Sequence, residues 1–420
     1  MLVALLNVAL RALSLVGRFV LTLFLAKQAG FETLATFGII SAAVAMAPAF
    51  LSFGMHYSLN RDLISLSRQN AFLLIRDRIY LHIIFFLLLV FLYLIGDVVI
   101  GRDIFHGIFL GNHLEFILVA LLVFFEVVGN ELHLALVNKR KSNFASVVQF
   151  IRNASWIFPL MIYSLVFDVD ILLSILIFWV ISSAFSLLLI FVRFSKFISI
   201  SDFLKAHNFR YFFHKSTVSL YIYIGDMANV GFQYGDRFVL NAILGAKTTG
   251  LYIFFSTIAS GVQQLVVAGF VQPSLPMLVE CVKLHGRKSG EYKLLRISFL
   301  KRILYSSGLF AFFSTLALFF AGDLINREEI RDHDLFGAFV IFAVVVKCVY
   351  DALGYSLYSA GFDRELVFSN LFLAFFSLVL NIFLTKIFGY FGVVLVLYLM
   401  PLIFIVYRFK ILNYQSELDK

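Results

Sequence analysis

Twelve runs of roughly twenty mostly apolar residues, each the length a helix needs to cross a bilayer, set the terms for this chain. They lie near 5–26, 36–57, 79–100, 114–137, 145–167, 171–192, 217–245, 249–272, 303–321, 336–359, 366–385 and 390–407. Inside a bilayer no water is present to satisfy backbone N–H and C=O groups, so each run must pair them within itself, as a helix. The predicted fold class is therefore an all-α membrane protein with twelve transmembrane helices. Of the 420 residues, 61% are hydrophobic and 14% charged, a balance outside the range of soluble globular domains. The seventh run is long for a bilayer and is expected to tilt or to begin at the interface. The first run lacks a basic start and a small-residue cleavage pattern, and is read as a retained span with an amphipathic beginning.

The placement of charge gives an orientation. Loops after the even-numbered spans, with the C-terminal tail, hold 23 Lys and Arg, and loops after the odd-numbered spans hold 6. The basic side is the cytoplasmic one, which predicts both termini inside. The clusters Lys139-Arg140-Lys141, Lys196 to Lys215 and Lys283 to Arg302 would then face anionic head groups, so the net charge of +9 points to membrane topology and not to nucleic acid. No loop is long enough for an extramembrane domain, so the function is expected inside the helix bundle. Cys281 and Cys348 have no CxxC spacing and no histidine partners, so neither a disulfide framework, a metal site nor a cofactor is expected. No phosphate-binding glycine loop, nucleophile triad or paired loop carboxylates stand out either. No catalytic constellation emerges, so no enzymatic activity is expected.

Charge inside the spans is the informative feature. The stretch 217–260 is apolar and aromatic, yet it contains Asp226, Asn229, Gln233, Asp236, Arg237 and Asn241. On a helix, Asp226, Gln233 and Arg237 fall on one line, with Asn229 and Asn241 roughly 60° to either side. Gly231 and Gly235 fall opposite, a spacing that predicts close approach of a second helix. A charge at the bilayer centre costs at least about 2.5 kcal/mol, so the stripe is expected to face a wet lumen; a buried structural ion pair is the plainer alternative. Glu126, Asn130 and His133 share a face of the fourth run, Gln149, Arg152, Asn153 and Trp156 lie in the fifth, and Lys347 and Asp351 sit at i, i+4 in the tenth, where they can neutralise each other. Pro48 and Pro159 mark candidate kinks.

The chain also resembles itself. Residues 18–21 and 237–240 are both RFVL, an offset of 219 that carries Asn7, Ser14, Arg18 and Thr22 onto Asp226, Gln233, Arg237 and Asn241. Arg11 falls on Val230, the one break. Six spans per half, both halves starting from the same side, predict two six-helix bundles, 1–200 and 201–420, related by a pseudo-twofold axis along the membrane normal.

The stretch YGDRFVLNAILGAKTTGLYIFFSTIA (234–259) resembles the start of the second half of polysaccharide flippases of the multidrug/oligosaccharidyl-lipid/polysaccharide exporter superfamily, through Asp236, Arg237, Leu244-Gly245, Gly250-Leu251-Tyr252 and Ser256. LAKQAGFETLATFG (25–38) and LSFGMHYSLNRDL (51–63) are similar to family patterns at the first and second spans. The resemblance implies a bacterial inner-membrane protein that turns an undecaprenyl-diphosphate-linked oligosaccharide, such as an O-antigen unit, from the cytoplasmic to the periplasmic leaflet by alternating access through a cationic cavity. Expected partners are that lipid-linked oligosaccharide, membrane lipids and other polysaccharide-assembly proteins. Arginine suits the diphosphate because its fork binds phosphate oxygens in pairs. Expected substrate contacts are Arg18, Arg237, Arg152, Gln233 and Asn241; expected ion-coupling carboxylates are Asp226, Glu126 and Asp236. The alternatives are a drug or cation exporter of the same superfamily, and a membrane enzyme acting on the same lipid-linked sugar.

Overall fold

The computed structural model describes residues 2–52, 54, 68–99, 113–138, 141–195, 209–325 and 328–414. Of the sequence features above, most of 51–63, Lys139-Arg140, residues 196–208 and the loop 101–112 lie outside that set. The described residues form helices and turns, with no strand among them. They comprise α1 (Leu2–Gln28), α2 (Gly30–Leu51), α3 (Arg68–Val99), α4 (His113–Asn138), α5 (Ser142–Phe150), α6 (Ile157–Val166), α7 (Ile171–Ser195), α8 (Phe209–Leu244), α9 (Ala246–Val266), α10 (Gln272–His285), α11 (Gly290–Ile325), α12 (Glu328–Arg331), α13 (Asp334–Ser359), α14 (Asp363–Phe388) and α15 (Tyr390–Tyr414).

Two π-helical turns, Ile151–Ser155 and Val267–Val271, join α5 to α6 and α9 to α10 into continuous rods. Among the described residues this makes twelve rods, one for each apolar run, with the short α12 in addition. Both π turns stand just before a proline. Pro159 and Pro273 lack the N–H that would bond Ser155 and Gly269 four residues back, and the widened turn accommodates the lost bond. The break in the fifth rod thus lies one turn before the expected kink at Pro159.

Several rods outrun their apolar runs. Helix α3 begins at Arg68, so Arg76 and Arg78, taken as loop residues above, are helical and buried. Among the described residues, eight rods are long and apolar enough to cross a membrane by length and composition. The other four, α1, α3, α5–α6 and α8, are those that carry Arg18, Arg76 to Arg78, Arg152 and the Asp226–Arg237 stripe.

The helices are inverted relative to those of a soluble protein. Along α14, Phe372, Phe375, Phe376 and Phe383 are exposed, whereas Ser369, Ser377, Asn381 and Thr385 are buried. Water would select the opposite arrangement; lipid favours this one.

The chain partitions into two compact units: Met1–Leu21 with Ile40–Tyr223, and Thr22–Ile39 with Ile224–Lys420. In the first, α4 packs on α3, α5 and α7. Its core includes Leu136, Ala145, Val148 and Ile190, with Trp156 stacked on Trp179 at 5.5 Å between centroids. In the second, α13 is central and packs on α9, α11 and α15, while α14 packs on α15. Phe232, Tyr350, Leu373, Val396, Met400 and Phe404 form a core there. The turn between α13 and α14 closes at Gly361, whose φ of +77° is open to glycine without strain. Phe362 N donates back to Leu357 O across it at 3.0 Å.

The second unit includes the tip of the α1–α2 hairpin. Gly250 of α9 lies so close to the Phe31 carbonyl that a Cβ would collide with backbone, and Gly38 lies under Ile253. The expected close approach at Gly231 and Gly235 is not found: nothing described comes within 4 Å of where their Cβ atoms would stand. Close approach by a glycine of α8 occurs instead at Gly225, against Val367 of α14.

Candidate functional site

Helix α8 carries the polar stripe. Asp226, Asn229, Gln233 and Arg237 are half-buried, and Asn241 is exposed. Adjacent residues diverge by about 100° on a helix, and that divergence separates Asp236 from Arg237. Asp236 turns into the packing, 5% exposed, where it accepts a hydrogen bond from Tyr252 of α9 and one at 2.8 Å from the Arg237 backbone N–H. Arg237 turns towards α2, where one guanidinium nitrogen reaches Gly38 O at 3.5 Å. Its carbon lies 5.2 Å from the centroid of the Tyr234 ring, and Gln233 donates to the Tyr234 hydroxyl at 3.3 Å.

Among the described residues, no carboxylate stands within ion-pair distance of the Arg237 guanidinium. The intramembrane carboxylates Glu126 and Asp351 each have a partner within their own unit. Arg152 Nε lies 3.3 Å from Glu126 Oε2. The π turn presents Arg152 to α4, and Gly129 leaves room for its guanidinium, which a Cβ there would strike. Arg152 is 2% exposed, so it is a clamped partner of Glu126 and not an open cation. Asp351 Oδ2 accepts from Lys347 Nζ at 3.1 Å and from Gln263 Nε2 at 2.8 Å.

Arg18, on α1, belongs to the first unit. Gly17 beside it packs on Ile157 and Ala154, which turns Arg18 off that contact and leaves it exposed. The structure therefore brings Asp236, Arg237 and Gln233 into one local network and Glu126 with Arg152 into another.

Three buried arginine networks escaped the sequence reading. Arg78 bonds Glu131 at 2.9 Å and Ser52 O at 2.7 Å, with His82 Nε2 also 2.9 Å from Glu131. Arg296 donates to Asn413 at 2.9 Å. Arg408, 1% exposed, donates to Tyr350 O, Ser369 Oγ and Asn370 Oδ1 at 2.9, 2.9 and 2.6 Å and stacks 3.7 Å from the Tyr350 ring centroid. The available signal was the position of each arginine at the edge of an apolar run, Arg78 and Arg408 one residue outside it and Arg296 about two turns before it, where helix and loop look alike in composition.

No protein-family profile matches the sequence, and neither does any curated protein. Solved structures do match in fold. An inward-facing multidrug-resistance MATE-family transporter of the MOP superfamily aligns with a TM-score of 0.74 over 99% of this chain and 100% of that chain, at 13% identity. The lipid II flippase MurJ in an inward closed conformation aligns at 0.67, over 98% and 89%, at 15% identity. A MOP-superfamily transporter from Pyrococcus furiosus, for which a reversed polarity of the binding pocket suggests a different function, aligns at 0.64, over 99% and 95%, at 12% identity. At these identities the likeness is one of fold: the chain has the all-helical fold of MOP transporters.

Proposed function

We propose that this chain is a flippase for an undecaprenyl-diphosphate-linked oligosaccharide, working by alternating access between two bundles, 1–200 and 201–420, in a bacterial inner membrane. The observation that carries the reading is Arg237: a half-buried guanidinium in the seventh apolar run, held by a carbonyl at 3.5 Å and a tyrosine ring, with no carboxylate in ion-pair range among the described residues. A permanent cation kept there costs free energy, and a diphosphate offsets that cost with paired, charge-assisted hydrogen bonds. Gln233, Asn241 and Arg18 are assigned to the same substrate, Gln233 and Asn241 to its sugar hydroxyls. Asp226, Glu126 and Asp236 are the carboxylates assigned to ion coupling. The MurJ likeness supports a lipid-linked sugar as the class of substrate.

A drug or cation exporter is the second reading, supported by the likeness to the MATE transporter. One pair of assays separates the two. A deletion strain should accumulate lipid-linked oligosaccharide and lose surface glycan, and the purified chain in vesicles should move a labelled lipid-linked oligosaccharide between leaflets. Efflux of cationic dyes by vesicles that leave the oligosaccharide in place would overturn the flippase reading.

A further inference from the structure

Four polar side chains stand together inside the eighth and tenth apolar runs, and the substrate contacts assigned above include none of them. Lys347, Asp351 and Tyr355 follow one another at single-turn spacing on α13, a line about 12 Å long at 1.5 Å per residue. Gln263 meets them from α9. Lys347 Nζ donates to Asp351 Oδ2 at 3.1 Å, and Gln263 Nε2 donates to the same oxygen at 2.8 Å. The Lys347 ammonium also lies 5.9 Å from the centroid of the Phe232 ring of α8. Phe232 is the chain neighbour of Gln233, so one helix touches both this cluster and the Arg237 network.

The hydrogen-bonding capacity of the cluster is only partly spent. A lysine ammonium has three N–H donors, and Asp351 takes one. Among the described residues, Asp351 Oδ1, Gln263 Oε1 and the Tyr355 hydroxyl have no hydrogen-bond partner, and none of the three is sealed into the packing. The Lys347 and Asp351 side chains are 15% and 20% exposed. Their charges cancel, which narrows the ligand. A cation would find its carboxylate already held by Lys347, and a phosphate would meet Asp351. A sugar suits both signs, because each hydroxyl donates and accepts, and its C–H face packs on a tyrosine ring. We infer that Gln263, Lys347, Asp351 and Tyr355 form a subsite for a neutral sugar ring of the lipid-linked oligosaccharide. Sugar hydroxyls donate to Asp351 Oδ1 and Gln263 Oε1 and accept from Lys347 and Tyr355. The inference rests on the flippase reading and adds to it the part of the substrate that Arg237 does not read. A glycan lacking the matching hydroxyl leaves half-buried polar groups unmet and is discriminated against.

The test measures binding to the full chain in bilayer discs with two probes: the lipid-linked oligosaccharide isolated from the deletion strain, and undecaprenyl diphosphate without sugar. The native chain should bind the first more tightly. Gln263→Leu and Tyr355→Phe should each cut that preference about fivefold, the loss of one ordinary hydrogen bond, with thermal melts unchanged. Tyr355→Phe removes a single oxygen and carries the test alone if Gln263→Leu does not fold. Equal binding of the two probes by the native chain, variants that lose both probes in parallel, or a preference that neither variant alters would overturn the subsite and leave the flippase reading standing. A native chain that binds neither probe overturns the flippase reading itself. A cationic dye that competes with the oligosaccharide and no longer binds after Asp351→Asn overturns the sugar assignment and gives the cluster to an exporter.

Discussion

Arg152 Nε lies 3.3 Å from Glu126 Oε2, with the guanidinium 2% exposed against Gly129. Removing one partner of such a pair leaves the other charge uncompensated. Glu126→Gln and Arg152→Gln should each destabilise the folded protein by about 3 kcal/mol, and the double replacement should recover most of that loss. Thermal melts of the three purified variants measure it. Glu126→Gln should also remove any dependence of transport on the proton gradient; a variant with unchanged melting and unchanged gradient dependence assigns the pair neither role.

Arg237 and Arg18 separate the substrate reading from a structural one. Arg237→Lys should retain partial flipping and Arg237→Leu should lose it, with both proteins inserted at normal levels. Loss of folded protein on Arg237→Leu would mark the group as structural. Full glycan export by the Arg18→Leu/Arg237→Leu double variant would remove the arginines from the mechanism altogether.

The contact between Gly250 and the Phe31 carbonyl holds the α1–α2 tip on α9. Gly250→Ala has backbone to displace and should cost about 1–3 kcal/mol. Gly261→Ala on the same helix, where nothing stands within 4 Å, should be neutral or slightly stabilising. Equal melting temperatures for the two variants would show that the tip is not held there.

Thr385 is fully buried, and its Oγ1 has no hydrogen-bond partner among the described residues. An unsatisfied buried hydroxyl costs about 1–3 kcal/mol, so the isosteric Thr385→Val should raise the melting temperature and leave transport intact. A stabilised protein that no longer transports would give the hydroxyl a role in the cycle.

The loop charge asymmetry makes a topological prediction. Reporter fusions at Ser201 and Glu291 should read cytoplasmic, and those at Asp168 and Arg331 periplasmic. A periplasmic signal at Glu291 would reverse the orientation.

The twelve rods were legible because the constraint behind them is local. In lipid each segment must close its own backbone hydrogen bonds, so run length alone decides that a helix forms. The stripe on α8 was legible for the same reason: 3.6 residues per turn places Asp226, Gln233 and Arg237 together whatever surrounds them. Helix ends were less so. Arg76 and Arg78 read as loop because hydropathy falls there, yet Arg78 is helical and buried, its charge met by Glu131 from another helix.

The tertiary structure decided what each face meets. Periodicity assigned Gly231 and Gly235 to a packing face, but close packing went to Gly225 and Gly250, where Val367 and the Phe31 backbone arrive from distant parts of the chain. It paired Asp351 with Lys347, four residues apart on one helix, but placed Glu126, Arg152 and Arg237 in the membrane without pairing them. The pairing of Glu126 with Arg152 depends on how α4 meets the π turn of the fifth rod, and the contact of Arg237 with a carbonyl and a ring depends on how α8 meets the tip of the α1–α2 hairpin. Helical geometry specifies the direction in which a side chain leaves its own helix; only the packing of helices specifies the partner found there.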